Sequence, residues 1–246
     1  MTLTSQTSSQ RISIITPTGA RPKAFELCKR WIARQSLLPA EWVIIDDGED
    51  KSPTEDIEIP GCDLVVVHPE KSWKLGDNTQ KRNLLVGLEV CKGDVICICE
   101  DDDYYAPNYL EVMYGELNNP RYSFEAVGEL NSRYYNLQYK KWRLLNNGSF
   151  ATLCQTIFRK SLVPTLRQVL AEGDNKFDVR FWKKLVCPRY LFPDTKLTVG
   201  MKGMPGRPGL GIGHNPESNQ WHSDTPTLDQ LRKWIGDDVE AYLELV

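Results

Sequence analysis

In the first half of the chain the apolar positions fall into short uninterrupted runs, separated by stretches with helical spacing. Ile12 to Ile15 forms one run, broken by Thr16-Pro17-Thr18-Gly19; Trp42 to Ile45, Leu64 to Val67 and Val95 to Cys99 form three more. Between them, residues from about Lys23 to Gln35 and from Thr79 to Cys91 have helical periodicity, the second through Leu84, Leu85, Leu88 and Cys91. Runs this uniformly apolar are strands covered on both faces, and their alternation with helices predicts a mostly parallel sheet flanked by helices. After Glu100 the pattern changes. Pro107 opens a helix expected to reach about Leu117, Phe124 to Val127 is strand-like, and Arg133 to Leu145 is rich in strand formers and stops at the turn signal Asn146-Asn147-Gly148. Helices are expected at about 161–171 and 178–185, the Pro/Gly-rich stretch 200–213 is expected to be a long irregular loop, and 227–245 a closing helix. Residues 1–10, rich in Ser, Thr and Gln, are expected to fray. That leaves 11–246 as a single α/β domain with a well-patterned half, 11–117, and a smaller mixed part, 118–246.

Composition narrows the classes without choosing among them. The chain has 246 residues, of which 41% are hydrophobic and 26% charged, which excludes wholesale disorder and a collagen-like repeat. Thirty basic against thirty-three acidic residues leave a formal charge of -3, so no global nucleic-acid signature is present. No apolar run approaches the roughly 18 to 20 residues of a membrane helix, and the polar start MTLTSQTSSQR lacks the core of a signal peptide. The expected location is the cytoplasm. Seven cysteines, an odd number without a CxxC pair, are expected to be mostly buried thiols.

In a parallel sheet, ligands bind outside the carboxyl ends of the strands. The residues delivered there are acidic: Asp46-Asp47 after the second strand and Glu100-Asp101-Asp102-Asp103 after the fourth. In an ordinary loop such a run is a solvated turn. At a strand end, four adjacent carboxylates repel one another and call for a divalent cation, with hard Mn²⁺ or Mg²⁺ the natural choice.

These residues resemble glycosyltransferases of the GT-A fold, family 2 in particular. ISIITPTGARPKAFELCKRWIARQ is similar to that family's first strand, turn and helix, and WVIIDDG to its second strand with the nucleotide-binding aspartates. KRNLLVGLEVCKGDVICICEDDDYYAPNYLE is similar to its ARN-like helix, GD turn and strand leading into the DxD motif. The resemblance covers about residues 11 to 117. It implies a metal-dependent transfer of a sugar from a nucleoside diphosphate, a uridine diphosphate sugar in the first place, to an acceptor hydroxyl.

Carried over by position, Thr16, Pro17 and Arg21 shape the donor pocket, Asp46 or Asp47 contacts base and ribose, and Lys81, Arg82 and Asn83 lie nearby. Counting back from Pro107 puts Glu100 first and Asp102 third in the DxD, with Asp103 following. Asp102 is the first choice of metal ligand and Asp101 an alternative ribose contact. The family usually has Asp where Glu100 stands, which leaves Glu100 with Asp102, or Asp101 with Asp103, as the working pair.

An ED-like position in NKFDVRFWKKL makes Asp178 the candidate base, although Phe177 replaces the expected acid and the residue also suits a helix N-cap. Glu172 and Asp174 are weaker candidates. The glycine-rich loop 202–214 has no Walker A or GxGxxG spacing. As a family-like lid it offers Lys202 and Arg207 to the diphosphate and His214 as third metal ligand, with His222 as a rival.

From Leu130 to Ala171 there is no acid but seven basic residues, interleaved with aromatics, so Lys140, Lys141, Trp142 and Arg143 are candidate acceptor contacts. The acceptor is then a saccharide or a nucleic acid, including a modified base that can stack. An alternating strand would instead put the bases in water and the aromatics in the core. Asp237-Asp238 are expected on plain solvated surface. The competing readings are a nucleotidyltransferase and a non-enzymatic nucleic-acid-binding module.

Overall fold

The computed structural model describes residues 11–70, 74, 77–172, 175–193, 196–209, 211–214, 216 and 220–245. The expected frayed tail, 1–10, and the weak base candidate Asp174 lie outside them. The first half follows the apolar pattern: β1 (Ile12–Thr18), α1 (Pro22–Ala33), β2 (Glu41–Asp46), β3 (Asp63–Val67), α2 (Gln80–Val90) and β4 (Val95–Ile98). β5 (Tyr104–Tyr105), α3 (Tyr109–Leu117), β6 (Ala126–Glu129), β7 (Asn131–Asn136), β8 (Lys141–Asn146) and β9 (Thr156–Arg159) come next. The chain continues through α4 (Val163–Ala171), α5 (Phe177–Lys184), β10 (Arg189–Phe192), β11 (Thr198–Lys202), β12 (His222–Ser223), α6 (Asp229–Ile235) and α7 (Glu240–Leu243).

The main sheet has the order β10-β6-β9-β4-β1-β2-β3, with β9 alone antiparallel to its neighbours. Every residue of β1, β2 and β4 is buried, as expected for strands covered on both faces. One face carries α1 through Phe25, Cys28, Trp31 and Ile32, and α3 through Tyr109, Leu110 and Met113. The other carries α2 through Leu84 and Leu88, α4 through Leu166 and Leu170, and α5 through Phe181 and Trp182. Because β1 has β2 on one side and β4 on the other, the loops after β1 and β4 diverge and leave a crevice at the carboxyl edge.

The second half departs from the expectations in three places. Residues 133–145 are not one strand but a hairpin, β7 and β8, turning through Lys140 at a left-handed φ of 46°. The stretch 200–213 is not wholly irregular, because β11 occupies its start and pairs with β7 and β5 in a second sheet of order β12-β8-β7-β11-β5. The closing helix is broken at Gly236, whose φ of 63° ends α6 before a 3₁₀ turn leads into α7.

Asp238, expected to be solvated, accepts both Arg34 Nη1 and Nη2 at 2.6 and 2.7 Å and Tyr104 Oη at 2.8 Å. With Trp31 Nε1 donating to Tyr242 Oη at 3.0 Å, it fastens the C-terminal segment to α1. The seven cysteines are free thiols, five of them buried. No described helix is long and apolar enough to cross a membrane.

Two glycines test the packing of the helices. A Cβ on Gly87 in α2 would lie 2.4 Å from Ile15 Cγ2, whereas one on Gly115 in α3 would meet nothing within 4 Å. Gly115→Ala is expected to stabilise by about 0.5–1 kcal/mol and Gly87→Ala to destabilise by about 1–3 kcal/mol. Urea denaturation of the two variants checks this; equal shifts would mean that α2 does not sit on β1 as described.

Candidate active site

A cavity of about 590 Å³ opens at the crevice and is walled by the loops after β1, β2 and β4, the start of α2, α5, β11 and residues Arg207, Pro208, Gly209, Gly211, Gly213 and His214. Its floor is the acidic run after β4. Asp101, Asp102 and Asp103 are buried and Glu100 half-buried, so four carboxylates are taken largely out of water.

Two cations reach them from distant segments. Arg21 Nη1 donates to Asp102 Oδ2 at 2.7 Å, and its Nη2 lies 3.3 Å from Asp101 Oδ1. Lys202 Nζ lies 3.1 Å from Asp103 Oδ1, 3.5 Å from Asp102 Oδ1 and 3.7 Å from Glu100 Oε2. Neutral donors complete the shell: Thr18 Oγ1 donates to Asp101 Oδ2 at 2.7 Å, Gln80 Nε2 to Glu100 Oε1 at 2.7 Å, and the Met201 amide to Asp103 Oδ1 at 3.2 Å.

Burial pushes the Asp101 carboxyl up to about 6 despite Arg21, and it raises Glu100 and Asp103 too. Asp102 is buried as well, but Lys202, Arg21 and His214 together hold it well below the usual carboxylate range. Burial and the nearby Lys202 ammonium bring His214 down to about 4, so its imidazole is neutral at pH 7.

The donor set suits a hard divalent cation. Asp101 Oδ1 and Asp102 Oδ1 are buried and accept no hydrogen bond, and His214 Nε2 stands 4.0 Å from Asp102 Oδ2. Donor atoms of Glu100, Asp103 and Cys154 lie within 4.8 Å of one another. Carboxylate oxygens and a neutral imidazole are donor types that a hard divalent cation accepts. His214 is brought there by a 3₁₀ turn, Ile212–His214, pinned where Asn136 Nδ2 donates to the Gly213 carbonyl at 2.9 Å. Gly209 is needed beneath the ring, since a Cβ there would fall 2.0 Å from Nε2. The rival His222 instead packs its ring on Trp142 in the second sheet, with centroids 4.5 Å apart.

The two aspartates after β2 divide the work. Asp46 is turned into its own loop, Oδ1 accepting the Gly48 amide at 2.9 Å and Oδ2 the Ser52 amide at 2.6 Å, and it does not line the cavity. Asp47 does. Its Oδ1 accepts Arg207 Nη1 at 3.0 Å, and its Oδ2 lies 3.2 Å from Arg82 Nη2. Gly19 is required here, because a Cβ would sit 2.1 Å from Asp47 Oδ1. Arg207 also donates to the Asp77 carbonyl and to Thr79 Oγ1, and its amide donates to the carbonyl of Ala20, a residue held at φ 57°.

Pro17 and Asn83 line the cavity, the latter with a buried, unpartnered Oδ1. Thr16 does not: it lies two residues inside the sheet, and its hydroxyl accepts Trp42 Nε1 at 2.9 Å. Thr18 takes the place expected of it. Lys81, on α2, is likewise outside the lining.

On the far wall, Asp178 accepts the Leu153 amide at 2.7 Å. It is in the first turn of α5 rather than at the N-cap, which is Lys176. Burial, reinforced by the charge of Glu100, pushes it up to about 7. The weaker candidate Glu172 is tied to Arg180 and Lys184 at 3.0 and 2.6 Å.

The acid-free stretch does not form one basic and aromatic surface. Alternation along β8 sends Arg143 and Leu145 to the cavity and Trp142 to the other side, against Trp234 and His222. Lys141 Nζ donates to the Pro216 carbonyl at 3.2 Å, Lys140 sits in the hairpin turn, and neither lines the cavity. Arg133 is buried 3.8 Å from Glu129, and Arg159 donates to the carbonyls of Leu117 and Phe124. Of the four acceptor candidates only Arg143 reaches the cavity. Tyr134, one of the aromatics interleaved with the basic residues, stands with it, as do Thr152, Cys154 and Trp221, which the sequence pattern did not pick out as acceptor contacts.

A strand-end acidic cluster, a glycine-rich segment and Asn83 of α2 meet at one crevice of a sheet with the GT-A fold. The Glycosyl transferase family 2 profile matches residues 13–167, well over half of the chain, and the chain belongs to that family. Over 109 residues it is 34% identical to the uncharacterized glycosyltransferase YwdF of Bacillus subtilis, covering 44% of this chain and 38% of that protein. Over 112 residues it is 27% identical to glycosyltransferase GlyG of Streptococcus pneumoniae, covering 44% of this chain and 36% of the other. The matched segment thus spans well under half the length of either relative.

Among solved structures, S. aureus TarS 1-349 in complex with UDP-GlcNAc superposes with a TM-score of 0.57 at 15% identity, over 85% of this chain and 61% of that one. The mannosyltransferase PcManGT of Pyrobaculum calidifontis, in complex with GDP-Man and Mn²⁺, gives 0.51 at 17% identity, over 81% and 58%. Both share the fold.

The division between the two aspartates is open to measurement. Asp46→Ala is expected to leave two buried amides unpaired, to lower stability by roughly 1–3 kcal/mol and to speed hydrogen exchange in 48–52. Asp47→Ala is expected instead to speed exchange in 203–209, where Arg207 loses its anchor, and to weaken nucleotide binding. The same exchange pattern in both variants would mean that the two carboxylates are not separated as described.

Proposed function

We propose that the chain transfers a sugar from a nucleoside-diphosphate sugar, a uridine diphosphate sugar in the first place, to an acceptor hydroxyl, with Mn²⁺ or Mg²⁺ bound at the DxD-like end of β4. The observation that carries this reading is the largely buried run Glu100 to Asp103, in which Asp102 Oδ1 accepts no hydrogen bond and Asp102 Oδ2 lies 4.0 Å from His214, in one cavity with Asp47 and Asp178. Family membership supports sugar transfer, and the fold shared with TarS and PcManGT is consistent with it.

In this reading Asp47, Arg82 and Asn83 hold the nucleoside, while Arg207 and Lys202 turn to the diphosphate. Asp102 with His214, joined by Glu100 or Asp103, would hold the cation, which supplies Lewis-acid neutralisation of the departing diphosphate. Asp178 takes the proton of the acceptor hydroxyl as that oxygen attacks the anomeric carbon and the bond to the diphosphate breaks. A carboxylate raised to about 7 is matched to that task. The acceptor enters between Asp178, Tyr134, Arg143 and Trp221. The dispersal of the other basic residues favours a compact hydroxyl acceptor over nucleic acid.

Two measurements test the chemistry. Excess EDTA is expected to abolish turnover of sugar nucleotides, and Asp102→Asn to reduce it by about 10² to 10³; full turnover in EDTA would sink the metal-dependent reading.

If Asp178 is the base, kcat/KM rises about tenfold per pH unit below pH 7 and flattens above it, and Asp178→Asn loses about 10² to 10⁴ together with that limb. The stability effect runs the other way. An acid whose pKa is raised in the fold supports the folded state fully below its unfolded pKa, and that support is lost as pH rises through about 7. Asp178→Asn is therefore expected to gain on the wild type in melting temperature between pH 4 and pH 7 and to keep a constant lead above it. A pH-independent difference would show that Asp178 does not titrate as a buried carboxyl.

A further inference from the structure

We propose that Lys202 is the resident counter-ion of the acidic cluster, its ammonium holding the place a divalent cation takes, so that metal entry and lysine departure are one event. Its Nζ sits inside the triangle of Glu100, Asp102 and Asp103, at 3.7, 3.5 and 3.1 Å, and only the Asp103 contact is a hydrogen bond. Asp102 Oδ1, the oxygen facing it, accepts none. The ammonium is thus central to three carboxylates and close to none of them except Asp103. A Mg²⁺ ion contacts carboxylate oxygens at about 2.0–2.1 Å. Such an ion on Asp102 Oδ1 and its neighbours would fall within contact distance of Nζ, and two positive charges in one buried triangle repel strongly.

Arg21 does not enter this triangle, because its hydrogen bond is to the other oxygen of Asp102, Oδ2, and its second nitrogen reaches Asp101. The position of Lys202 is set by the fold. It is the last residue of β11, which lies between β7 and β5; its carbonyl accepts the Leu137 amide at 2.8 Å, and a Cβ on Gly213 would lie 2.7 Å from its Cγ. Four carboxylates against Arg21 and Lys202 leave a formal excess of two negative charges in the ion-free site. A divalent ion that expels Lys202 from the triangle cuts that excess from two charges to one and frees the ammonium into the cavity, which Lys202 already lines. On the reading given under Proposed function, that is where the diphosphate arrives.

The test uses the full chain, with Mn²⁺ alone and no sugar nucleotide, so that it stands apart from turnover. Free Mn²⁺ is read by electron paramagnetic resonance. Lys202→Met is expected to bind Mn²⁺ at least about tenfold more tightly than wild type, because the competing charge is gone. Lys202→Arg, which keeps the charge, is expected to gain nothing. Mn²⁺ is also expected to raise the melting temperature of Lys202→Met by more than that of wild type. Equal or weaker Mn²⁺ binding by Lys202→Met, or no Mn²⁺ binding by any of the three proteins, overturns the proposal.

Should Lys202→Met fail to fold without ion, the wild type answers by itself. Reductive methylation of Lys202, read by mass spectrometry, is expected to rise severalfold when Mn²⁺ saturates the site, and unchanged labelling overturns the proposal. Tighter Mn²⁺ binding in Lys202→Met without hydrolysis of any sugar nucleotide would leave the counter-ion standing and remove the glycosyl-transfer reading. Hydrolysis with unchanged Mn²⁺ affinity would do the reverse.

Discussion

The compensation of four adjacent carboxylates at the end of β4 is the constraint on which the architecture turns. Charges buried without partners cost several kcal/mol each, so a chain that places Glu100 to Asp103 out of water must bring cations to them. It does so from both directions: Arg21 from 81 residues before Asp102, and Lys202 from 99 residues after Asp103. The Met201 amide and the Lys202 ammonium both end on Asp103. The acids are therefore the joint at which β11, and with it the second sheet, is fixed to the main one. Binding chemistry and fold closure use the same side chains.

Much of this was legible in the chain where burial is two-sided and much less where it is not. The runs at 12–15, 42–45 and 95–99 have one stable solution and form buried strands, whereas the run at 64–67, expected to be covered on both faces, forms the edge strand β3 with Leu64 exposed. β5 and β12 have two residues each and carry no period at all. β11 reads as loop because Thr-Val-Gly-Met-Lys leads straight into Gly and Pro, although its pairing with Tyr104 and Tyr105 is what delivers Lys202. The basic stretch misleads for a related reason: its acidic partners, Glu125 and Glu129, lie just outside it, and the turn at Lys140 reverses the strand.

Within the site, residue type was legible and depth was not. Thr16 and Thr18 have the same chemistry and differ only in their distance from the strand end, which gives one to Trp42 and the other to Asp101. Asp46 and Asp47 are neighbours with opposite tasks. The backbone turn after β2 offers two amides to the first and leaves the second facing Arg207 and Arg82. A motif can name such a pair, but only the turn decides which member faces the ligand.

The acids are thus paired with cations of the chain itself without being fully compensated, and this shapes what donor binding can contribute. Arg207 rests on Asp47, Arg21 on Asp101 and Asp102, and Lys202 on the other acids. Under the proposed function each basic group that meets the diphosphate must leave a carboxylate, and that carboxylate then meets the nucleoside or the cation. Donor and metal together replace one complete set of ion pairs by another, so the net gain is a difference between two large terms. Neither ligand alone completes the new set: a nucleotide without metal leaves the acids short of charge, and a metal without nucleotide leaves the displaced lysine without an anion. Under the proposed function the two ligands would therefore bind with positive coupling, and that coupling would originate in the pairing of each cation with an acid before either ligand arrives.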